Sequence, residues 1–452
     1  MLIPLLALAL ALQVPLPDLP KARSPVTITA ATLPDGRDGY VYDGNPVPPV
    51  IRVEPGARLE VSLINAMTLP SREPCVMDPC MQATNLHFHG MGVSPVGHAD
   101  NVLGLSARPG DTLHYAVDIP RTHAPGLFWY HPHPHGESDR QINDGMSGAI
   151  IVEGIERFAP AVRGLRERVL VFRSVHDTAA ARAALDSSVP TCGSEPEAPE
   201  LAWTINGVAE PSIDIAPGER QFWRIVNASG DGFLDLAIDS APWEIVALDG
   251  SPLGGPPRTA RHVSIPPAGR LEAIVTGPSA GAALRTRCVD TGPDGDPAPA
   301  MVLAHIVAGT GQSHLPLSSA IPRRQRTPDA ALAAQRRRPE AVVTFTEDAG
   351  GFYINARKYD PSDKAMFTVR VGSFVHWRVV NRTREVHPFH IHQVHFLTPD
   401  SLWLDTVTVP PGDSLDIVLD ARNPVIRGLS VFHCHMIRHE DKGMMAKVLF
   451  TE

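Results

Sequence analysis

The sequence predicts an all-β protein built from three β-sandwich domains in tandem. Its punctuation, its alternation and an internal repeat all point that way. The 452 residues carry 45 prolines and 36 glycines scattered between short apolar runs, which suits many strands joined by turns and leaves little room for long helices. Runs such as "PVTITAATL", "ARLEVSLIN" and "DTLHYAVDIP" place apolar residues at alternate positions, the pattern of strands with one buried face. One phrase also recurs three times, as "VEPGARLEVSLIN", "IAPGERQFWRIVN" and "VRVGSFVHWRVVN". Each copy has a turn, a strand and a closing Asn, and three copies of the unit imply three copies of the domain.

Along the chain, residues 1–24 read as a leader. Met1 to Val14 is almost wholly apolar but too short to span a bilayer. It reads as a signal-peptide core, so the protein is expected to be exported, periplasmic or extracellular, with no stable membrane insertion once the leader is gone. The first sandwich is expected over 25–155, the second over 165–307 and the third over 341–452. Between the last two, 308–340 is rich in Ala, Arg, Pro and Ser without alternation, which predicts a linker with one helical turn around Asp329 to Arg336. The formal charge of −9 argues against nucleic-acid binding, and the basic stretches Arg323–Arg326 and Arg336–Arg338 are short enough to be solvated linker. Of five cysteines, Cys75 with Cys80 and Cys192 with Cys288 are expected to form disulfides, leaving Cys434 over.

The histidines carry the chemistry. Of the 20 present, 12 fall in four phrases: "HFHG" from His87, "HPHPHG" from His131, "HPFHIHQVH" from His387 and "HCHMIRH" from His433. Two phrases lie in the first unit and two in the last. Side chains two apart on a strand share a face. His87 with His89, His131 with His133, His390 with His392, and His433 with His435 therefore converge as four pairs. Eight imidazoles are too many for one tetrahedral ion and suit several metal ions held together, though imidazole alone does not name the metal. Cys434 points away from its two neighbours, towards a second site that His387 and His439 can join, with Met444 five residues further on. Two His, one Cys and a distant Met is the ligand set of a blue-copper electron-transfer site. Electrons arriving there have a covalent path through Cys434 to His433 and His435, and four coppers match the four electrons that dioxygen needs. His135 and His395 continue the alternation without a vacant role and read as rim residues.

On these four motifs, present in order, the sequence resembles the multicopper oxidases, the family of laccases, copper-efflux oxidases and spore-coat laccases. "HCHMIRHEDKGMM" resembles the bacterial members most closely. The resemblance implies cupredoxin-like sandwiches and four copper ions. It makes His387, Cys434, His439 and axial Met444 the type 1 ligands, and His87 with His390 the type 2 ligands. His89, His131, His133, His392, His433 and His435 would hold the type 3 pair, between the first and last domains. An axial Met implies a moderate type 1 potential. The resemblance also implies proton-handling roles for two acids, Asp100 in "GHADNV" and Glu440 in "HED".

The expected reaction is one-electron oxidation of a small-molecule or metal-ion reductant, coupled to reduction of dioxygen to water. Phenols or aromatic amines are the leading reductants, and Cu(I), Fe(II) or Mn(II) the alternative. With 11 methionines and no Met-rich insert, the chain departs from the copper-efflux oxidases. The alternative of another class is a copper-binding envelope scaffold without oxidase activity; copper-free cupredoxin scaffolds lack the ligands present here, and a two-domain copper nitrite reductase lacks the His-Cys-His bridge.

Overall fold

A computed structural model of the protein describes residues 14–68, 82–176, 178–185, 201–309 and 328–452. The apolar start of the expected leader lies outside these residues. So do Cys75, Cys80 and Cys192, and with them both expected disulfides. Residues 14–24, which the sequence places in the leader, are built into the fold. Ser212 N donates to the carbonyl of Val14 at 2.8 Å, and Leu16 N donates back to Ser212 at 2.8 Å. The strand Lys21–Arg23 then pairs in parallel with Val50–Arg52. Both segments fill sheet-edge backbone groups that would otherwise lack partners.

Among the described residues, six sheets stack as three sandwiches, each closed around its own apolar core. The recurring phrase does the same work in each. It supplies the strands Arg58–Ala66, Arg220–Asn227 and Phe374–Asn381. Each runs between one parallel partner and one antiparallel partner. The glycine of each turn (Gly56, Gly218, Gly372) has a positive φ, of 87°, 75° and 97°, where a side chain would be strained.

The closing Asn explains why the phrase ends as it does. Asn65, Asn227 and Asn381 are fully buried, and each amide donates to two carbonyls of later loops. Asn227 Nδ2 reaches Gly232 at 2.8 Å and Ile265 at 3.0 Å, while Asn381 Nδ2 reaches Glu385 at 2.7 Å and Val409 at 3.0 Å. The side-chain oxygen accepts from the peptide two residues on, at Met67, Ser229 and Thr383. One amide thus fixes the loop after each strand, and in the third domain that loop leads into His387.

In the first domain, Gly126–His131 and Gly148–Val152 are buried at every position. Phe128 and Tyr130 face that domain's core, while Leu127 and Trp129 face a seam with Val171, Val226 and Ala228 of the second. A strand covered on both faces reads as a continuous apolar run, and this double cover seats the first domain against the second.

Helices are few among the described residues. Asp329–Gln335 forms the short helix expected in the linker, and its Ala331 and Ala334 pack on Phe374 and Val418. Ser138–Asn143 and Ile437–Asp441 lie against each other across the first and third domains. Among the described residues, no helix is long and apolar enough to cross a membrane.

Asn227→Ala should destabilise the protein by about 2–4 kcal/mol, because two buried carbonyls lose their donor. The measurement is the midpoint of thermal or urea unfolding, and an unchanged midpoint would contradict the clamp.

Candidate metal centre

Strand register brings the histidine motifs together. His87 pairs directly with His131 across an antiparallel ladder in the first domain, and His390 pairs with His433 in the third. Alternation then adds His89, His133, His392 and His435 to the same faces, while Phe88, Ile391 and Cys434 turn into the cores behind. The two sets meet between the domains. Ring centroids lie 3.7 Å apart for His87 and His392, 3.9 Å for His89 and His390, 5.0 Å for His89 and His435, and 5.1 Å for His133 and His433. All eight are buried.

Burial, followed by the neighbouring imidazoles, pushes His87, His133 and His433 well below their usual pKa, and burial takes His390 to about 4 against the opposing pull of Asp405. They are neutral at pH 7, each with a lone pair to offer. Their outer nitrogens are anchored. His131 Nδ1 donates to the Pro132 carbonyl at 2.9 Å, His433 Nδ1 to that of Cys434 at 2.9 Å, and His390 Nδ1 to that of Asp405 at 2.8 Å. His87 Nδ1 lies 3.0 Å from both oxygens of Asp100. The nitrogens left over, Nε2 of His87, His131 and His390 and Nδ1 of His89 and His392, are buried without a hydrogen-bond partner. Such orphans cost about 1–3 kcal/mol each unless something accepts their lone pairs. A cluster of metal ions fits them, and triads such as His87–His89–His131 and His133–His392–His433 stand close enough to share an ion.

The second site lies on the other face of the same strand. Cys434 Sγ is 3.4 Å from His387 Nδ1 and 3.9 Å from His439 Nδ1, and the two nitrogens are 3.4 Å apart. A triangle with these sides centres on a point about 2.1 Å from each atom, a bond length suited to nitrogen and sulfur ligands. Met444 is buried in the same core, its carbonyl accepting from Cys434 N at 3.1 Å. Among the described residues Cys434 is the free cysteine. Burial pushes its thiol well above the usual range, so a thiolate there needs a cation upon it.

The two acids singled out in the sequence both touch the cluster. Asp100 is buried, accepts from Phe88 N at 2.9 Å and Gln393 Nε2 at 2.6 Å, and is pushed by burial to about 7. Glu440 is fully buried, its oxygens 3.4 Å from His133 Nδ1 and 3.2 Å from His433 Nδ1, outside hydrogen-bond geometry. Burial, then Asp441 and Asp139, push its carboxyl well above the usual range. The rim residues divide: His395 Nε2 donates to the Asp249 carbonyl at 2.8 Å, and His135 packs edge-on to Tyr359.

The sequence did not single out the outer contacts of the second site. Thr383 Oγ1 meets His387 Nε2 at 2.8 Å, and Glu385 Oε1 lies 3.4 Å from His439 Nε2. Their spacing before His387 was the available signal. Beside them opens a cavity of about 570 Å³ that reaches His439. Its walls carry Asp231, Asp294, Asp296, Glu347, Asp348 and Glu385 against Arg382, Arg384, Arg438 and Lys442. Arg384 is paired with Asp294 at 2.9 Å. Burial, then a hydrogen bond with Glu347 and the charges of Glu347, Asp296 and Asp231, push Glu385 to about 9. Phe352 stacks on the His439 ring at 3.8 Å.

Cys434→Ser removes the sole sulfur of the triangle. The copper-loaded variant should lose the blue thiolate band while copper at the histidine cluster stays, read by absorbance and metal analysis. A blue variant would sink the assignment.

Three models described as multicopper oxidase match the chain, over residues 26–157, 168–283 and 331–452. A multicopper oxidase of Staphylococcus haemolyticus is 22% identical over 426 residues, covering 91% of this chain and 83% of that protein. Among solved structures, a variant of the McoA multicopper oxidase of Aquifex aeolicus superposes with a TM-score of 0.76 at 22% identity, covering 97% of this chain and 100% of that one. A multicopper oxidase of Campylobacter jejuni, described as a metallo-oxidase, gives 0.72 at 23% identity, covering 97% and 94%. The chain belongs to the multicopper oxidase family, copper-dependent oxidoreductases with four copper ions that pass electrons from a reductant to dioxygen.

Proposed function

We propose that this oxidase takes its electrons from a divalent metal ion, Fe(II) or Mn(II), bound as substrate in the acidic cavity beside His439. The carrying observation is the cavity wall itself, where the carboxyl of Glu385 stands 3.4 Å from His439 Nε2 and 3.9 Å from His387 Nε2. Oxygen ligands favour hard divalent ions over Cu(I). Carboxyls crowded enough to hold a proton at neutral pH are relieved by a divalent cation. Glu385 then has two tasks, binding the reductant and touching the imidazole that receives its electron.

The ligand roles follow the convergence of donors. His387, Cys434 and His439 with Met444 hold the type 1 copper, and His87 with His390 hold type 2. His89, His131, His133, His392, His433 and His435 hold the type 3 pair. Copper in these sites supplies the one-electron redox chemistry. Cys434 joins the sites because its peptide neighbours, His433 and His435, belong to the cluster. Glu440, buried between His133 and His433, is placed to give protons to the oxygen-reducing cluster, and Asp100 holds His87 and exchanges protons on the opposite side.

An aromatic amine or phenol is the second reading. The stacking of Phe352 on His439 and a cavity of about 570 Å³ favour it, since that volume admits an aromatic ring.

Glu385→Gln should raise KM for Fe(II) roughly tenfold, equivalent to about 1.4 kcal/mol of binding, and leave that for a phenol nearly unchanged. Steady-state oxygen uptake on both reductants decides, and equal effects would favour the aromatic reading. Glu440→Gln keeps shape and removes the titrating group. It should leave the blue colour and anaerobic reduction intact while slowing reoxidation by dioxygen roughly 100-fold, the lower range for a general acid. Stopped-flow mixing of reduced protein with oxygenated buffer measures this, and an unaltered rate with all coppers present rules out the relay.

A further inference from the structure

The middle sandwich holds none of the clustered histidines, yet one of its side chains reaches their edge. Arg270 opens the strand Arg270–Thr276 and is buried. Its guanidinium leaves that domain and grips Asp405 of the third: Nη1 donates to Oδ1 at 2.7 Å, and Nη2 donates to Oδ2. Asp405 in turn holds two imidazoles through different atoms. Its Oδ1 accepts from His89 Nε2 at 3.2 Å, and its backbone carbonyl accepts from His390 Nδ1 at 2.8 Å. The two rings stack with centroids 3.9 Å apart. These opposite contacts leave Nδ1 of His89 and Nε2 of His390 as the unpartnered nitrogens. One aspartate therefore selects both tautomers.

Asp405 stands close enough to His89 and His390 to be counted with them as a metal-holding group. Its geometry says otherwise, because the arginine fork takes both carboxylate oxygens in a bidentate pair. The neighbourhood is shaped around that pair. Gly90, the glycine of "HFHG", has a φ of 80°, and a Cβ there would collide with Arg270 Nη2 and Asp405 Oδ2. Asp249 accepts from Arg270 N at 2.9 Å, and its side chain lies 3.4 Å from both Asp405 N and Thr406 N. His395 Nε2 lies 3.4 Å from Asp405 Oδ2.

We infer that Arg270 is a positioning residue of the oxygen-reducing cluster. By holding both oxygens of Asp405 it fixes His89 and His390 in complementary tautomers, and so makes cluster assembly depend on the domain that binds no copper. The inference rests on the assignment of His89 and His390 as copper ligands.

The test uses the copper-loaded protein and reads copper retained against a graded chelator, the type 2 EPR signal and the type 1 blue band. Arg270→Met should hold cluster copper roughly 10–100-fold more weakly, the usual range for a residue behind a ligand, while the blue band stays. Arg270→Lys keeps the charge but cannot span two oxygens, so it should retain more copper and show a shifted type 2 signal. Arg224→Met is the control for a mere domain seam, since Arg224 is equally buried there and pairs with Glu167 at 2.6 Å and with Glu272; it should match the parent. Parent-like copper retention in Arg270→Met, or equal loss in Arg224→Met, overturns the inference. If Arg270→Met fails to fold, an unshifted EPR signal in Arg270→Lys overturns it instead. His390→Ala separates the two levels: a retained type 2 signal there defeats the ligand assignment, whereas its loss beside an unaffected Arg270→Met defeats the inference alone.

Discussion

Burying eight neutral imidazoles against one another is the constraint from which the rest of the architecture follows. Each ring brings two nitrogens out of water, and in a protein interior both need partners. The fold supplies one partner per ring for His131, His390 and His433 from backbone carbonyls, and for His87 from Asp100. The opposite nitrogens of His87, His131 and His390 have none. That arrangement is unfavourable for a metal-free chain and favourable for a metal-loaded one, so folding and metal binding share one free energy. Anchoring also fixes ring orientation before metal arrives, which limits the entropy lost on binding.

Holding such a cluster at a domain junction requires the junction to be stiff. The first and third domains present two histidine ladders to each other, but a two-body contact could hinge. The second domain removes that freedom. Its strands cover Leu127 and Trp129 behind the first ladder, and Arg270 reaches past them to the loop carrying Asp405. On the opposite flank, Asp441 accepts from Gly136 N at 2.7 Å and Asp139 N at 2.8 Å, tying the two short helices together. Polar contacts at both flanks specify one docking geometry, which apolar packing alone would leave loose.

The two metal sites stand back to back because a strand alternates. Cys434 faces the third domain's core and its neighbours face the cluster, so one strand separates the sites and also connects them covalently. Their surroundings differ accordingly. The cluster is closed, lined by imidazoles and two buried acids, and suits a small neutral oxidant. The thiolate site is also buried, but its His439 edge meets an open cavity walled by carboxylates, arginines and a lysine.

Alternation, the thrice-repeated phrase and the histidine motifs are periodic signals, and the sequence by itself determined whatever depends on period. That includes the sandwich class, the convergence of His87 with His89 and of His433 with His435, and the turn of Cys434 away from its two neighbours. The short helix near Asp329, in a stretch without alternation, is the one regular element expected in the linker. Pairings between distant segments carry no period. Nothing in "WLDTV" marks Asp405 as the residue that orients His89, 316 positions earlier, and nothing in "PPAGRLEAIV" marks Arg270 as its partner. Glu385 lies close to His387 in the chain, yet what raises its pKa beside His439 is burial and the carboxylates of Glu347, Asp296 and Asp231, which arrive from a strand and two other loops. The edge pairing of residues 14–24 leaves little trace in composition. The convergence of the histidine pairs follows from local chain geometry and was therefore legible. The second layer behind the ligands and the chemistry of the cavity depend on which loops meet in space, and only the tertiary structure decides that.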